Sequence, residues 1–129
     1  WFEFDPKLKI EYGKAKISKL ISQSRLVIHS YDSTGMLETL SRNIPTINFW
    51  LNEYDHLLDD AKPFYKLLVD VGIIHFSAES AAKKINEIWD NTENWWNKSE
   101  VQEARKIFCE QYARNSNNPV IELKKILLS

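Results

Sequence analysis

SRLVIHSYDSTGMLETLSRNIPTINFW, residues 24–50, is the stretch that decides the fold. Its core Leu26-Val27-Ile28 is continuously apolar, which favours a strand at 25–29 covered on both faces, as in a parallel sheet flanked by helices. A Ser-Thr-Gly turn follows at 33–35, then apolar residues at helical spacing, then a second strand opened by Pro45. This order predicts a βαβ unit with a right-handed crossover.

The rest of the chain continues the α/β alternation to about residue 90 and then becomes helical. Gly72 is a suitable C-cap, and Ser77 a suitable N-cap, for two of the predicted helices. Ser99 with Gln102 is the pattern of a capping box. Further strands are predicted at 8–12 and 73–76, and helices at 17–21, 63–71, from 77 to about 89, from 99 to 112 and from 119 to 128.

These elements predict an α/β fold with a Rossmann-like, mostly parallel sheet flanked by helices and a helical C-terminal extension from about residue 98. The length of 129 residues suits one core, so we expect a single domain over 1–129. The chain begins at Trp1 with residues typical of a fold interior, and we therefore expect it to be part of a longer protein.

Composition excludes several functions. Seventeen basic and eighteen acidic residues give a net charge of -1 without a basic stripe, so nucleic acid is not an expected partner. Cys109 is the single cysteine, which precludes an internal disulfide and fits a reducing compartment such as the cytoplasm. No apolar run approaches the roughly 20 residues of a membrane-spanning helix.

The turn at 33–35 is a candidate anion site. A strand that leads through small residues into a helix presents free backbone N–H groups and the positive end of the helix dipole to a phosphate. Gly35 would permit close approach, and Ser33 and Thr34 would donate hydroxyl hydrogen bonds. Glu38 lies one turn behind Thr34 and could reach polar groups of the same ligand. An ordinary N-cap, with Glu38 stabilised by the helix dipole, explains the same residues.

Two further pairs are weaker candidates. His29 and Ser30 end the first buried strand at the sheet edge where open α/β folds bind ligands, although a structural histidine is the favoured interpretation. Tyr12 and Gly13 end the predicted strand 8–12 and could border a bound base. A plain strand-to-helix turn is the alternative for this second pair.

Other reactive residues have structural interpretations. No metal is expected, because the histidines at 29, 56 and 75 lack metal-ligand spacing. Asp59-Asp60 is interpreted as solvated surface, and Cys109 as a buried small hydrophobic residue. Trp89, Trp95 and Trp96 are interpreted as anchors for the C-terminal helices, with stacking on sugar rings as the alternative.

The run Asp32-Ser33-Thr34-Gly35-Met36-Leu37-Glu38-Thr39-Leu40, followed by Asn43-Ile44-Pro45-Thr46-Ile47, resembles the nucleotide-sugar-binding C-terminal half of GT-B glycosyltransferases. The chain is more closely similar to a largely uncharacterised family of transferases from surface-polysaccharide and O-antigen loci, over about residues 24–114. The segments that carry this likeness also include Phe49-Trp50, Ala61-Lys62-Pro63, Gly72-Ile73, Trp95-Trp96 and Ala104-Arg105 with Phe108-Cys109.

This resemblance implies a function. In GT-B enzymes the donor lies between two Rossmann-like halves, so Ser33, Thr34 and Gly35 would hold the donor phosphate and Glu38 would contact ribose or sugar hydroxyls. A missing N-terminal domain of the same chain would supply the acceptor site and any catalytic base. The nucleotide-activated sugar is then a substrate, with no cofactor and no metal. The chain alone would bind donor without turnover, in a cytoplasmic protein attached peripherally to the inner membrane through its other parts.

Three alternatives remain open. Nucleotide-sugar epimerases and polyol-phosphate transferases have domains that look similar around the turn and Glu38. A non-catalytic interaction domain, which binds a partner protein through exposed aromatic residues, is the alternative from a different class.

Overall fold

The computed structural model describes residues 5–129 and confirms the α/β class. Its sheet has three parallel strands in the order β1-β2-β3, with Val27 opposite Thr46 and Asn48 opposite Ile74. The strands are β1 (Val27–His29), β2 (Thr46–Phe49) and β3 (Ile74–His75). The helices are α1 (Ile17–Ser22), α2 (Thr34–Ser41), α3 (Lys62–Asp70), α4 (Ala78–Ile88), α5 (Thr92–Trp96), α6 (Ser99–Tyr112) and α7 (Pro119–Leu128), with a 3-10 turn at Trp89–Asn91.

The predicted strand at 8–12 is wrong. The segment is irregular, Leu8 is 41% and Tyr12 72% exposed, and Gly13 has a φ of 83°. Five alternating residues form a strand only where another strand supplies hydrogen bonds, and this segment pairs with none of the three described strands.

The central strand β2 is more deeply buried than the edge strand β1. Thr46, Ile47 and Asn48 of β2 are fully buried, as expected for a central parallel strand. Ile28 of β1 is 48% exposed, so the prediction that this strand is covered on both faces is wrong. β1 is an edge strand, and Ile28 points to the face opposite that of its neighbours Val27 and His29.

Two helices that lead into strands end in the same way. At the end of α3, Gly72 has a φ of 77°. The N–H of Gly72 donates to the carbonyl of Val69, and the N–H of Ile73 donates to the carbonyl of Leu68. This is a Schellman motif, and it confirms Gly72 as the terminating residue. Asn43 takes the same position after α2, with a φ of 56°.

The C-terminal end of α2 is held by two later helices. Trp96 of α5 donates its indole N–H to the carbonyl and to the side-chain oxygen of Asn43, at 3.2 and 2.9 Å. Arg105 of α6 is buried and donates to the carbonyl of Leu40 at 3.0 Å. A cation at a helix C-terminus complements the helix dipole. The segments Asn43-Ile44-Pro45, Trp95-Trp96 and Ala104-Arg105 are therefore structural.

α6 and α7 differ in packing. α6 lies against α2 and α3, and its Val101, Ala104 and Phe108 belong to the hydrophobic core. α7 buries none of its residues. The predicted C-terminal extension therefore corresponds to α7, whereas α6 is part of the packed domain. Within residues 5–129, no helix combines the length and the apolar character needed to cross a bilayer.

The predicted caps have different outcomes. Ser77 is confirmed as the N-cap of α4, since its hydroxyl accepts from the N–H of Ser80 at 3.1 Å. The capping box at Ser99 is wrong, because Ser99 is the first residue of α6 and Lys98 is its N-cap. The Gln102 amide instead donates to the carbonyl of Trp96 at 2.8 Å.

Candidate functional site

A cleft of about 470 Å³ lies at the carboxyl edge of the sheet, where the loops after β1 and β2 meet. Ligands of parallel α/β sheets bind at this edge, beyond the carboxyl ends of the strands. The lining residues are Asp32 from the first loop and Trp50, Leu51, Asn52, Asp55 and His56 from the second.

The N-terminus of α2 lies beside this cleft, two residues after Asp32 in the chain. The helix starts at Thr34, so Ser33 is its N-cap, while Thr34 and Gly35 belong to the first turn rather than to a turn before it. The first N–H groups of any helix lack carbonyl partners within the helix. The Ser33 hydroxyl forms no capping bond with them. The N–H of Met36 donates to the Ser33 carbonyl at 3.1 Å. The Ser33 hydroxyl and the N–H groups of Thr34 and Gly35 are thus available together to an anion.

His29 and Gly35 pack against each other. A Cβ atom on Gly35 would lie 3.1 Å from Cε1 of His29 and 3.4 Å from Oγ of Ser33. A side chain at position 35 would therefore require the His29 ring to shift by a few tenths of an ångström, whether or not a ligand approaches. His29 Nε2 lies 3.2 Å from the Thr39 hydroxyl, which donates to backbone carbonyls of α2. Nε2 consequently donates to Thr39, and burial lowers the pKa of His29, which favours the neutral ring.

The other predicted site residues do not line the cleft. Glu38 is exposed and its carboxylate faces Arg42 at 3.4 Å, toward the C-terminus of α2. Ser30 is exposed in the loop after β1. Tyr12 and Gly13 lie in the irregular N-terminal segment, and no hydrogen bond among the described residues connects them to the α2 N-terminus.

The cleft contains a hydrogen-bond network that the sequence patterns did not single out. The Asp32 carboxylate, with its side chain 19% exposed, accepts a hydrogen bond from His56 Nε2 at 2.9 Å. It also accepts from the hydroxyl of Tyr65, at 3.1 Å to Oδ2 and 3.3 Å to Oδ1. Tyr65 belongs to α3 and is buried, so it connects this network to the core.

The loop after β2 turns back to bring His56 to Asp32. Asn52 and Glu53 both have positive φ, at 67° and 45°, and the Trp50 indole donates to the Glu53 carbonyl at 2.7 Å. Asparagine adopts this conformation more readily than most residues, but it is uncommon for glutamate, and strained positions of this kind cluster at functional sites. The His56 ring meets the buried Trp50 ring edge-on, with centroids 5.5 Å apart.

The charges of the cleft limit what it can bind. Among the residues that the structure describes, Asp32 and Asp55 bring two carboxylates to the lining, and no lysine or arginine lines it. The positively polarised groups near it are the N–H groups of α2 and the imidazole of His56. Carboxylates, an amide and an aromatic ring suit a hydroxylated ligand. Among residues 5–129, no group of three or more His, Cys, Asp and Glu is placed to hold a metal ion.

The sequence contained one signal for this network. Asp32 and His56 each follow a predicted strand of the βαβ unit, and loops after parallel neighbouring strands share one sheet edge. Their location at one sheet edge follows from that topology, but their contact also requires the turned-back loop after β2. The contribution of Tyr65 follows from neither, because Tyr65 lies in a helix.

The remaining reactive residues lie outside the lining of the cleft. Trp95 and Trp96 are buried, as the anchoring interpretation predicts, whereas Trp89 is 48% exposed with the Arg25 guanidinium 4.9 Å above its ring. Cys109 is buried, and burial raises the pKa of its thiol. Asp59 and Asp60 are exposed, as predicted. His75 bridges the Gly72 carbonyl and the Ser80 hydroxyl, at 3.0 and 2.7 Å.

A parallel sheet with a helix N-terminus and a cleft at its carboxyl edge defines an α/β protein whose candidate site lies where proteins of that class bind ligands. The chain belongs to the LIC12162 family of transferases: the model described as LIC12162 family transferase matches residues 1–127. This membership supports the predicted relation to a transferase family. No curated protein and no solved structure matches the chain.

Proposed function

We propose that this chain is the nucleotide-sugar-binding, Rossmann-like part of a GT-B glycosyltransferase that acts in surface polysaccharide or O-antigen synthesis. The donor phosphate binds at Ser33, Thr34 and Gly35, and the sugar enters the cleft beyond Asp32. A second domain of the same protein supplies the acceptor site, on the cytoplasmic side of the membrane.

One observation carries this proposal: the uncapped N-terminus of α2 opens beside a cleft of about 470 Å³ at the carboxyl edge of the sheet. A helix N-terminus stabilises phosphate through its free N–H groups and its dipole. In the transfer reaction the same groups would stabilise the negative charge on the departing nucleotide phosphate. Membership of a transferase family supports such a reaction.

The composition of the cleft supports a division of the donor between two subsites. Asp32 and Asp55 accept hydrogen bonds from hydroxyl groups but would repel phosphate, and the Asn52 amide can both donate to and accept from hydroxyl groups. The phosphates therefore belong at α2 and the sugar in the cleft. Glu38 is held by Arg42 only through an exposed contact, which costs little to break if a ribose hydroxyl competes for it.

An NMR titration of the chain with UDP, CDP, CMP and GDP tests the phosphate subsite. We expect at least one nucleotide to shift the amide signals of residues 33–38. The absence of any such shift at millimolar ligand would contradict the proposal.

Two matched variants locate the binding. Ser33→Ala removes a hydroxyl that forms no capping bond, so it should weaken nucleotide binding about tenfold through the loss of one hydrogen bond to a charged group. Ser41→Ala, at the other end of α2, should leave the affinity unchanged. Gly35→Val is a poor test of binding, because its side chain would collide with His29. Equal effects of the two serine variants would argue against phosphate at the α2 N-terminus.

A further inference from the structure

We propose that His56 is a catalytic base of the transfer reaction and that Asp32 and Tyr65 position it. This inference rests on the proposed function for its donor substrate. It goes beyond that function because the proton acceptor then lies in this chain rather than in a second domain.

The bond to Asp32 determines which nitrogen of His56 is basic. A carboxylate has only acceptors, so Nε2 of His56 is the donor of the 2.9 Å bond and carries the proton. In the neutral ring the lone pair then lies on Nδ1. Within residues 5–129, Nδ1 of His56 accepts no hydrogen bond. The ring is thus held in the tautomer that leaves a basic nitrogen free.

The carboxylate is itself fixed from the core. Tyr65 is 8% exposed and packs edge-on against Trp50 and Phe108, with centroids 6.2 and 5.1 Å apart. Burial and the nearby Asp32 carboxylate raise the pKa of Tyr65, so its hydroxyl stays protonated and remains a donor to Asp32. A base oriented by a carboxylate, which is oriented in turn by a third group, is the arrangement found in activated catalytic sites.

His56 is also accessible from the cleft. Its side chain is 43% exposed, whereas that of Asp32 is 19% exposed, so the imidazole meets solvent and the carboxylate lies behind it. Asp32 immediately precedes the N-cap Ser33. A donor with its phosphate at α2 and its sugar in the cleft would therefore bring its anomeric carbon to the side of the cleft where His56 lies.

The reaction step is a displacement. The oxygen of an acceptor hydroxyl forms a bond to the anomeric carbon, and the bond from that carbon to the phosphate oxygen breaks, with the electron pair leaving on the nucleotide. The hydroxyl proton passes to Nδ1 of His56 and then to water. Asp32 stabilises the imidazolium that forms in between.

The first test reads the His56 ring by NMR in the chain labelled with ¹⁵N and ¹³C. We expect the tautomer protonated at Nε2 in the free chain and a larger share of the other tautomer in Asp32→Asn. A ring protonated mainly at Nδ1 would overturn the assignment.

The second test compares bare nucleotides with UDP-glucose, GDP-mannose and CMP-N-acetylneuraminate. We expect a nucleotide sugar that shifts the amides of residues 33–38 to shift the His56 ring signals as well, and the bare nucleotide to shift the amides alone. Amide shifts without any effect on His56 would leave the proposed function intact and overturn the catalytic assignment. If neither set shifts, both fail.

The third test separates catalysis from a structural role. In the full-length protein, hydrolysis of the responding nucleotide sugar, with water as acceptor, should fall at least about 100-fold in kcat in His56→Ala, with little change in KM. Added imidazole should restore part of that activity, which it would not do for a residue that only supports the loop. Asp60→Asn is the control on the same loop. A His56→Ala variant with wild-type kcat, or one that imidazole does not rescue, would overturn the proposal.

Discussion

Replacement of Asn43 by glycine and by alanine should separate two contributions to the end of α2. Asn43 has a φ of 56°, and its side-chain oxygen accepts hydrogen bonds from Trp96 Nε1 at 2.9 Å and from Gln102 Nε2 at 3.1 Å. Asn43→Gly removes both bonds but keeps a residue suited to positive φ. Asn43→Ala removes the same bonds and places a Cβ atom in the left-handed region.

The magnitudes follow from these contacts. Each hydrogen bond contributes about 0.5–1.5 kcal/mol, and Trp96 keeps a weaker partner in the Asn43 carbonyl at 3.2 Å. Asn43→Gly should therefore lower the free energy of unfolding by about 1–2 kcal/mol. The left-handed conformation costs alanine roughly 1–2 kcal/mol more, so Asn43→Ala should lose about 2–4 kcal/mol in total.

Equilibrium unfolding in urea measures both values, with an unchanged m-value as the sign that only stability differs. Asn86→Ala, at an exposed position of α4, is the control and should change the free energy by no more than about 0.5 kcal/mol. Equal losses for glycine and alanine would refute the contribution of the backbone conformation. A neutral Asn43→Gly would refute that of the hydrogen bonds.

Three further outcomes are expected. Gly35→Val should lower the free energy of unfolding by about 1–3 kcal/mol and move the NMR signals of the His29 ring, because its side chain overlaps that ring; unaltered signals would contradict the packing. Burial lowers the pKa of His29 and of His75, so the unfolded chain binds protons more readily than the folded one. The stability that depends on these two neutral histidines should therefore be fully present above a pH of about 6.5 and should fall below it. The difference between the urea midpoints measured at a pH of about 7.5 and at about 5.5 should be smaller in the double variant that carries glutamine at both positions than in the unsubstituted chain. Deletion of Pro119–Leu128 with the final serine should leave the unfolding free energy within about 0.5 kcal/mol, since α7 buries no residue; a larger loss in the urea titration would show that the helix packs.

Much of the fold could be predicted because its signals are local. The periodicity of Met36 and Leu40, the helix stop at Gly72 and the cap at Ser77 depend on neighbours a few residues away, and all three predictions are confirmed. The strand at 8–12 failed, because a strand depends on a partner that its own residues do not specify. The exposure of the Ile28 side chain could not be predicted for the same reason, since only the assembled sheet makes β1 an edge strand.

The candidate site also has one part that the sequence predicts and one part that depends on the tertiary structure. The sequence by itself predicted that a helix follows the turn at 33–35, because a strand followed by small residues and a helix is a pattern of adjacent residues. The structure starts that helix at Thr34, within the predicted turn. Only the tertiary structure brought Asp32, His56 and Tyr65 together, from positions 24 and 33 residues apart. Such contacts depend on the order of the strands and on the two consecutive residues of positive φ that turn the second loop back, and neither is encoded in a short stretch of sequence.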